Sequence, residues 1–366
     1  MTLKKKCLFL GTHSPFHDKI KASNVGLAKV NFKVLSELFC TEALCSLPET
    51  TTRVYKGLRF CWALCGYLGG DSPFFRRRLK ATVLKFKPDI VYVDHARLGA
   101  CAKLIKQLNA RTQVVVQFHE LGTEYFEHSA GVRGPLKAFL KRVAAQSDRA
   151  ACESADIIVT LTAADSDSLL RLYGRAASRV IPTAVPVTSQ REHLPGVPGE
   201  KPYVLFCGSY FPPNNEAVRW LVQKIADHMD YDLWIVGYQM EKLTSEVQHP
   251  RVKILGTVDD VAPYYQSAVA VLSPIFRGAG INTKAVATFA YGKMILANSF
   301  ALRGLPEPLP PTVLRCEDDQ DFIWTLAHLE DHPRNTLQSS QEARAYYKRF
   351  FSETAKLKAY QELLGV

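Results

Sequence analysis

The residues best suited to chemistry lie in a loop that contains two glycines and precedes a lysine. Gly278 and Gly280 allow the backbone to approach a ligand closely, and the pattern after them predicts a helix with Lys284 in its first turn. Amide groups at a helix N-terminus lack partners within the helix and carry partial positive charge, so they attract anions. Lys284 adds a full positive charge. The spacing therefore predicts a phosphate site.

Two common phosphate motifs do not fit this loop. A Walker loop requires glycine before the lysine and serine or threonine after it, whereas Thr283 precedes Lys284 and Ala285 follows it. A dinucleotide fingerprint requires a third glycine at the position that Thr283 occupies. The loop is therefore expected to belong to another class of phosphate site.

Three segments of the second half resemble, in the same order, the donor-binding domain of GT-B-fold glycosyltransferases, in particular the retaining GT4-like enzymes. They are a strand, loop, helix and strand over 203–237, a strand and turn over 254–260, and the glycine loop with its helix over 269–298. The resemblance implies a nucleotide-diphospho-sugar as co-substrate and no other cofactor. It implies donor contacts from Gly208, Ser209, Gly256, Val258, Gly278, Ala279, Gly280, Ile281, Asn282, Thr283 and Lys284. No Asp-x-Asp pair occurs in a suitable loop, so no metal ion is expected.

Two positions depart from the family pattern. The family helix usually carries a glutamate that binds the donor ribose, and Ala287 stands there; an acidic residue often precedes the first glycine, and Arg277 stands there. A buried ribose hydroxyl without its partner costs about 1–3 kcal/mol. Arg277 can instead pair with the diphosphate or with an acidic sugar. Arg277 and Lys284 are predicted to stabilise the leaving diphosphate.

Polar residues also follow predicted strands in the first half. His119 and Glu120 follow one strand, Asp94 and His95 follow another, and His13 follows the first. The resemblance places a histidine near the donor sugar at the position of His119, and histidine can polarise a sugar hydroxyl. Glu120, Glu124 and Glu127 are the nearest carboxylates, and one of them is the candidate base if the reaction inverts. A core histidine satisfied by a backbone carbonyl is the alternative for His119. Asp94, His95 and His13 are predicted acceptor contacts.

Apolar strand-like runs alternate with helical stretches, which is typical of parallel α/β sheets. The first half has predicted strands at 7–11, 90–93, 113–118, 157–161 and 180–182, and predicted helices at 24–39, 75–86, 97–109, 134–154 and 162–173. The alternation resumes at 203 and continues to about 313. A charged helical tail over 339–364 follows.

These elements predict a GT-B fold, an α/β architecture of two facing doubly wound, Rossmann-like domains. The predicted parts are an acceptor-binding domain at 1–186, a Pro- and Gly-rich linker at 187–201, a donor-binding domain at 202–338 and a helix at 339–366 that returns to the first domain. Ligands bind at the carboxyl ends of strands in such sheets. The nucleotide is therefore expected against the second domain and the acceptor against the first.

The formal net charge of +11 is unevenly distributed. Residues 1–150 contain 25 Lys/Arg and 11 Asp/Glu, whereas residues 151–366 contain 21 and 24. Within 56–87, eight cations accompany a single acid, Asp71, and aromatic residues lie between them. This pattern predicts contact with an anionic membrane surface, where each cation contributes about 1 kcal/mol. A solvated face over a buried helix is the alternative; no nucleic-acid motif occurs, so no nucleic-acid partner is expected.

The cysteines indicate a reducing compartment. The nine cysteines are scattered without any C-x-x-C pair, and Cys7 and Cys207 lie in strand-like runs that predict buried thiols. The first apolar stretch is only four residues long, and none approaches the roughly 20 residues that span a bilayer. The expected location is cytoplasmic, peripheral on the inner face of the membrane.

Taken together, these features predict a glycosyltransferase that moves a sugar from a nucleotide-diphospho-sugar to a lipid-linked or cell-surface glycan. By resemblance, the reaction retains the anomeric configuration. Ala287 keeps a second hypothesis open, a catalytically silent GT-B domain that binds a partner transferase or a glycan. A GT-B-fold sugar-nucleotide epimerase is the third.

Overall fold

The computed structural model describes residues 4–16, 23–48, 53–129, 132–187, 201–278 and 280–366. Its chain divides into two compact units. The first unit combines Met1–Ala184 with Lys356–Val366, and the second unit is Val185–Ala355. Most of the predicted linker, 188–200, lies outside the described residues.

In the part of the first unit that is described, six strands form one parallel sheet in the order β2-β1-β3-β4-β5-β6. The strands are β1 Lys6–Gly11, β2 Cys40–Cys45, β3 Ile90–Val93, β4 Gln113–Phe118, β5 Ile157–Thr160 and β6 Arg179–Val180. The helices are α1 Ser23–Leu38, α2 Arg53–Leu64, α3 Pro73–Phe86, α4 Gly99–Leu108, the short α5 Gly122–Glu124, α6 Gly134–Ser154 and α7 Ala163–Tyr173.

Both faces of this sheet are covered, and its strands are therefore apolar at successive positions. Leu8 and Leu10 of β1 belong to one buried cluster, together with residues of α3 and α4. Cys7 and Phe9 point to the other face, where they share a cluster with Tyr360 near the C-terminus. The C-terminal segment is therefore part of the first unit's core.

The second unit repeats this plan over its described residues, with six parallel strands in the order β12-β11-β10-β7-β8-β9. The strands are β7 Tyr203–Cys207, β8 Asp232–Val236, β9 Val252–Gly256, β10 Ala270–Ser273, β11 Met294–Ala297 and β12 Val313–Arg315. The helices are α8 Pro212–Lys224, α9 Ala262–Ser267, α10 Thr283–Ala290, α11 Ser299–Leu302, α12 Asp319–Ala327, α13 Leu337–Phe350 and α14 Glu353–Leu364, which runs into the first unit.

The predicted α/β class with two parallel-sheet domains is confirmed, and several elements differ in detail. The sequence pattern did not reveal β2 or α2. The strand β2 lies at the sheet edge and is largely exposed or half-buried, so polar residues such as Glu42 interrupt its apolar pattern. The predicted single helix over 339–364 is two helices, because Ser352 accepts a hydrogen bond from the Ala355 amide and starts α14.

The nine cysteines all have free thiols. Cys7 is buried as predicted, and burial raises its pKa to about 12. Cys207 is only half-buried, and Cys40, Cys61 and Cys65 are exposed, so the prediction of buried thiols holds for part of the set. None of the described helices has the length and apolar content needed to cross a bilayer.

Candidate active site

The predicted glycine loop lies at the carboxyl edge of the second sheet, between β10 and α10. Gly278 and Gly280 have φ values of 147° and 73°, in the region that side-chain-bearing residues rarely adopt. The Arg303 guanidinium donates to the Gly278 carbonyl at 2.7 Å and so anchors the loop. Ala279, a predicted donor contact, lies outside the described residues.

The side chain of the N-cap residue does not cap the N-terminus of α10. Asn282 occupies the N-cap position, but its amide donates to Ser273 Oγ at 3.0 Å and to the Ala301 carbonyl at 3.1 Å. The Asn282 side chain accepts no hydrogen bond from the amides of the first turn. These amides therefore keep the anion-binding capacity predicted from the sequence, with Thr283 as the first residue of the helix.

Lys284 lies beside this open helix end and is held by a neutral partner. Its Nζ donates to Asn214 Oδ1 at 2.8 Å and lies 5.7 Å from the centre of the Phe206 ring. Asn214 in turn donates to the Ser209 carbonyl at 2.8 Å, which links the loops that follow β10 and β7. Burial lowers the pKa of Lys284 to about 8. Because an amide holds the ammonium group, its charge remains available to an anion.

Backbone hydrogen bonds join the loops after β7, β8 and β9 at the carboxyl edge of the second sheet. Gly208 N donates to the Val236 carbonyl at 2.9 Å, and Gly237 N donates to the Gly256 carbonyl at 2.7 Å. Val258 follows in the next loop, where it packs against an apolar cluster. The predicted donor contacts on these loops thus lie on the sheet edge that also carries Lys284.

Gly237 is the tightest point of this arrangement. A Cβ at this position would lie 2.0 Å from the Gly208 carbonyl oxygen, and φ is 138°. Gly237→Ala is therefore expected to lower the free energy of unfolding by about 3 kcal/mol or more, measured by chemical denaturation. Gly174→Ala is the matched control, because its φ is also positive but its surroundings are open. A loss no larger than that of the control would contradict this account of the loop.

Arg277 is engaged by a carboxylate in the structure. Its Nε donates to Glu216 Oε2 of α8, and both side chains are 43% exposed. Ion pairs exposed to this extent typically contribute about 0–1 kcal/mol to stability. A diphosphate can therefore compete with Glu216 for the guanidinium.

Glu216→Gln tests the predicted role of Arg277. The free energy of unfolding is expected to fall by less than about 1 kcal/mol, while the affinity for a nucleoside diphosphate rises several-fold because the carboxylate at position 216 no longer competes for the guanidinium. Isothermal titration calorimetry measures this affinity. Glu246→Gln is the matched control, because it removes a carboxylate that pairs with Arg219, and Arg219 lies on α8 as Glu216 does. Equal affinities in the two variants would remove Arg277 from the donor contacts.

Ala287 lies on α10 and packs against the apolar cluster that includes Tyr265 and Tyr291. The helix therefore presents a methyl group at the position where the resemblance places a carboxylate. A donor ribose at this site would have to find its hydrogen-bond partners elsewhere.

A second polar cluster lies at the carboxyl edge of the first sheet. The strands β3 and β4 are neighbours, so the residues that follow them come together. The rings of His95 and His119 stack in parallel with their centres 5.2 Å apart. His119 Nε2 lies 3.5 Å from Asp94 Oδ1. His13 follows the adjacent β1, and its carbonyl accepts a hydrogen bond from Cys45 Sγ at 3.2 Å.

Asp94 is buried and connected to α1. Asn31 donates to Asp94 Oδ1 and, at 3.1 Å, to Gln117 Oε1. Within the described part of the chain, His119 Nε2 makes no hydrogen bond. A buried polar group left in this state costs about 1–3 kcal/mol, so the cluster can gain energy from an incoming hydroxyl.

Glu120 is held by two neighbours and is suited to orienting them. Arg97 Nη2 donates to Glu120 Oε1 at 2.9 Å, and His95 Nε2 lies 3.8 Å from the same oxygen. Burial acts to raise the pKa of Glu120, but the contacts with His95 and Arg97 lower this pKa overall. A carboxylate fixed in this way is a poor general base.

His95 is neutral near pH 7, because burial and the nearby Arg97 charge lower its pKa to about 4. Its Nδ1 accepts from the Arg97 amide at 3.2 Å, so its proton resides on Nε2 and faces Glu120. The Arg97 guanidinium also lies 4.2 Å from the centre of the Tyr125 ring. These contacts fix the ring on which His119 stacks.

Two residues of α14 join this cluster and were not predicted. Lys356 is buried, and burial lowers its pKa to about 8 while the Asp94 charge acts in the opposite direction. Tyr360 Oη lies 2.7 Å from Tyr92 Oη and 3.3 Å from Gln117 Oε1. Nothing in the spacing of a charged C-terminal helix indicates these contacts. Asn31 did carry a weak signal, as a polar residue within an apolar helix face.

Two family models match successive parts of the chain. The model described as a glycosyl transferase 4-like domain matches residues 42–184, and the model described as glycosyl transferases group 1 matches residues 201–331. Together they include most of the chain, with Asp94, His95 and His119 in the first matched range and the glycine loop and Lys284 in the second. No curated protein sequence matches the chain.

Solved structures with the same fold extend over almost the entire chain. Sucrose-phosphate synthase from Thermosynechococcus elongatus is 16% identical, with a TM-score of 0.73 and coverage of 99% of this chain and 100% of its own. Anabaena Alr3699/HepE in complex with UDP-glucose is 14% identical, with a TM-score of 0.68 and coverage of 99% and 100%. The lipopolysaccharide outer core galactosyltransferase WaaB is 15% identical, with a TM-score of 0.64 and coverage of 98% and 99%. The fold and the two family models together show that this chain belongs to the GT4-like glycosyltransferases of the GT-B fold.

Proposed function

We propose that the enzyme transfers a sugar from a nucleotide-diphospho-sugar to a lipid-linked or cell-surface glycan, with retention of configuration and without a metal ion. The observation that carries the proposal is the ammonium group of Lys284 beside the uncapped N-terminus of α10. The similar protein HepE was solved with UDP-glucose, and the name of WaaB assigns it to the lipopolysaccharide outer core. Both names favour a donor and an acceptor of these classes.

The chemistry assigned to the second unit is stabilisation of the leaving group. When the bond between the anomeric carbon and the diphosphate oxygen breaks, the electron pair moves to that oxygen. Lys284 and the amides of α10 then face the developing charge, which is the kind of electrostatic stabilisation that usually contributes most to catalysis. The acceptor hydroxyl attacks from the face that the diphosphate leaves, and its proton passes to the leaving phosphate.

The acceptor hydroxyl is assigned to the polar cluster of the first unit. His119 Nε2 is buried and makes no hydrogen bond within the described ranges, so a hydroxyl at this edge would satisfy it. Asp94 lies beside His119 and can orient its ring. His95, Glu120 and Arg97 act through their contacts on the neighbouring ring.

The location assigned to the enzyme is the cytoplasmic face of an anionic membrane. Nine free thiols are consistent with a reducing compartment. Arg77 and Arg78 on α3 are exposed, and neither pairs with a carboxylate among the residues that the structure describes. Such cations are suited to acidic lipid head groups.

A panel of nucleoside diphosphates tests the donor site. The nucleotide of the true donor is expected to raise the melting temperature, because a ligand at 100 times its Kd stabilises the folded state by about 2.7 kcal/mol. The corresponding nucleotide-sugar should then release that diphosphate in the presence of a lipid-linked glycan extract. Absence of stabilisation by every nucleotide in the panel would contradict the proposal.

A further inference from the structure

The first unit contains an aromatic cavity that takes no part in either polar cluster. It has a volume of about 350 Å³, within the range of roughly 300–1,000 Å³ of small-ligand sites. We name it the α2 pocket, and its walls come from α2, the loop after α2 and the region around the start of α6. Its lining residues include Phe60, Trp62, Tyr67, Leu68, Phe126 and Leu140.

Exposed apolar side chains surround the α2 pocket on three helices. Leu58, Phe60 and Leu64 of α2 are 45–48% exposed, Phe74 of α3 is 71% exposed, and Phe139 of α6 is 38% exposed. The rings of Trp62 and Phe74 lie 6.4 Å apart, so the exposed surface of α3 continues into the pocket wall. Exposed apolar surface of this kind usually indicates a binding site.

The charges around the α2 pocket select an anionic occupant. Asp71 is the one acid among the described residues that line it, and Arg76 neutralises it through a 2.7 Å ion pair while lying 5.0 Å from the Tyr67 ring. Arg59 also lines the pocket. Burial raises the pKa of the Tyr55 hydroxyl, and the positive charges of Arg59 and Arg78 act to lower it. The pocket therefore combines apolar walls with net positive charge at its edge.

An occupant that fits both properties is an amphiphile with a hydrocarbon chain and an anionic head group. We infer that the α2 pocket binds an acyl chain of an anionic phospholipid from the membrane surface, with Arg59 beside the head group. An acidic protein segment would satisfy the cations, but it would not require a cavity next to a broad apolar surface. This inference deepens the proposed membrane association and adds a specific site to it.

The experiment uses the full chain with vesicles of phosphatidylcholine, with or without phosphatidylglycerol, whose acyl chains carry bromine. Bromine quenches a tryptophan only on contact, and Trp62 lines the pocket. The signal assigned to Trp62 is the difference between the wild-type emission and that of Trp62→Phe. At least twofold quenching of this signal is expected with phosphatidylglycerol, and little with phosphatidylcholine alone. Co-sedimentation with the same vesicles is measured in parallel.

Two variants distinguish acyl-chain binding in the α2 pocket from electrostatic binding at the charged surface. Ala63→Phe fills the cavity without changing charge and is expected to abolish quenching while co-sedimentation persists. Leu84→Phe is its matched control, because Leu84 is exposed on α3 and does not line the pocket. Arg59→Glu leaves the cavity open and is expected to weaken partitioning into phosphatidylglycerol vesicles about tenfold. Circular dichroism establishes that each variant is folded.

The outcomes are distinct. Co-sedimentation without Trp62 quenching would overturn the pocket inference and leave the electrostatic membrane association intact. Absence of both would overturn both proposals, and the donor-site test would be unaffected. Equal quenching by neutral vesicles would overturn the selection of an anionic lipid. Quenching that survives Ala63→Phe would place the bound chain outside the pocket.

Discussion

Replacing Lys284 with alanine is expected to lower kcat/KM for sugar transfer by about 100-fold or more, since removal of one preorganised group that stabilises developing negative charge typically has this effect. The same variant should also bind the nucleoside diphosphate more weakly, because the ammonium lies beside the uncapped end of α10. Release of the diphosphate, measured at several donor concentrations, gives both quantities.

The control for Lys284→Ala is Lys224→Ala, which removes an exposed cation from the end of α8. Its kcat/KM should stay within about twofold of wild type, since surface substitutions usually have small effects. Loss of activity in Lys284→Ala must also occur without loss of the cooperative unfolding transition. Unchanged turnover in this variant would remove Lys284 from the site and with it the main support for the proposed function.

The pKa of Lys284 gives the same prediction a pH dependence. Burial lowers this pKa to about 8, and only the protonated form carries the charge that attracts a diphosphate. Affinity is therefore expected to be full below pH 8 and to fall as the pH rises through that value. Lys284→Arg should remove this dependence, because a guanidinium stays protonated throughout the range. A fall of equal steepness in the arginine variant would assign the titration to another group.

Replacing His119 with alanine is expected to lower kcat/KM by about 100-fold or more, because the acceptor hydroxyl loses the side chain that positions it, and misplacement of a reacting group can cost this much. Stabilisation by the nucleoside diphosphate should remain, because His119 belongs to the first unit and Lys284 to the second. Asp94→Asn preserves the shape of the site but removes the charge 3.5 Å from His119 Nε2, so it should lose part of the same activity. Activity assays and thermal shift together separate the two effects.

His228→Ala is the control for His119→Ala, because His228 is an exposed histidine of the second unit. It should leave both activity and nucleotide binding unchanged. If His119→Ala kept wild-type activity, the polar cluster of the first unit would have no role in transfer. If it lost nucleotide binding as well, the separation of roles between the two units would be wrong.

The fold class and the strand ends can be predicted from the sequence because both depend on local patterns. Apolar runs such as β4 are followed directly by polar residues, and parallel pairing then brings the ends of neighbouring strands together. This pattern is sufficient to single out Asp94 and His119 as residues at strand ends. The glycine loop and Lys284 are recognisable in the same way, from residues adjacent in the chain.

Other site contacts join residues that are far apart in the sequence. Arg277 pairs with Glu216 across 61 positions, and Tyr360 contacts Gln117 across 243. Lys356 looks like an ordinary surface residue of a charged helix, because helix propensity does not indicate what the helix will pack against. Such contacts depend on tertiary packing, which composition and periodicity do not specify.

The return of Lys356–Val366 to the first unit has a consequence for synthesis on the ribosome. Tyr360 and Leu364 cover one face of the first sheet, yet all of Val185–Ala355 is translated before them. At roughly 5–20 residues per second, the part of that face beyond α1 stays uncovered in the nascent chain for about 10–30 s. Translation of the first unit therefore begins early but is completed last. During this interval we expect chaperones to bind the uncovered apolar surface.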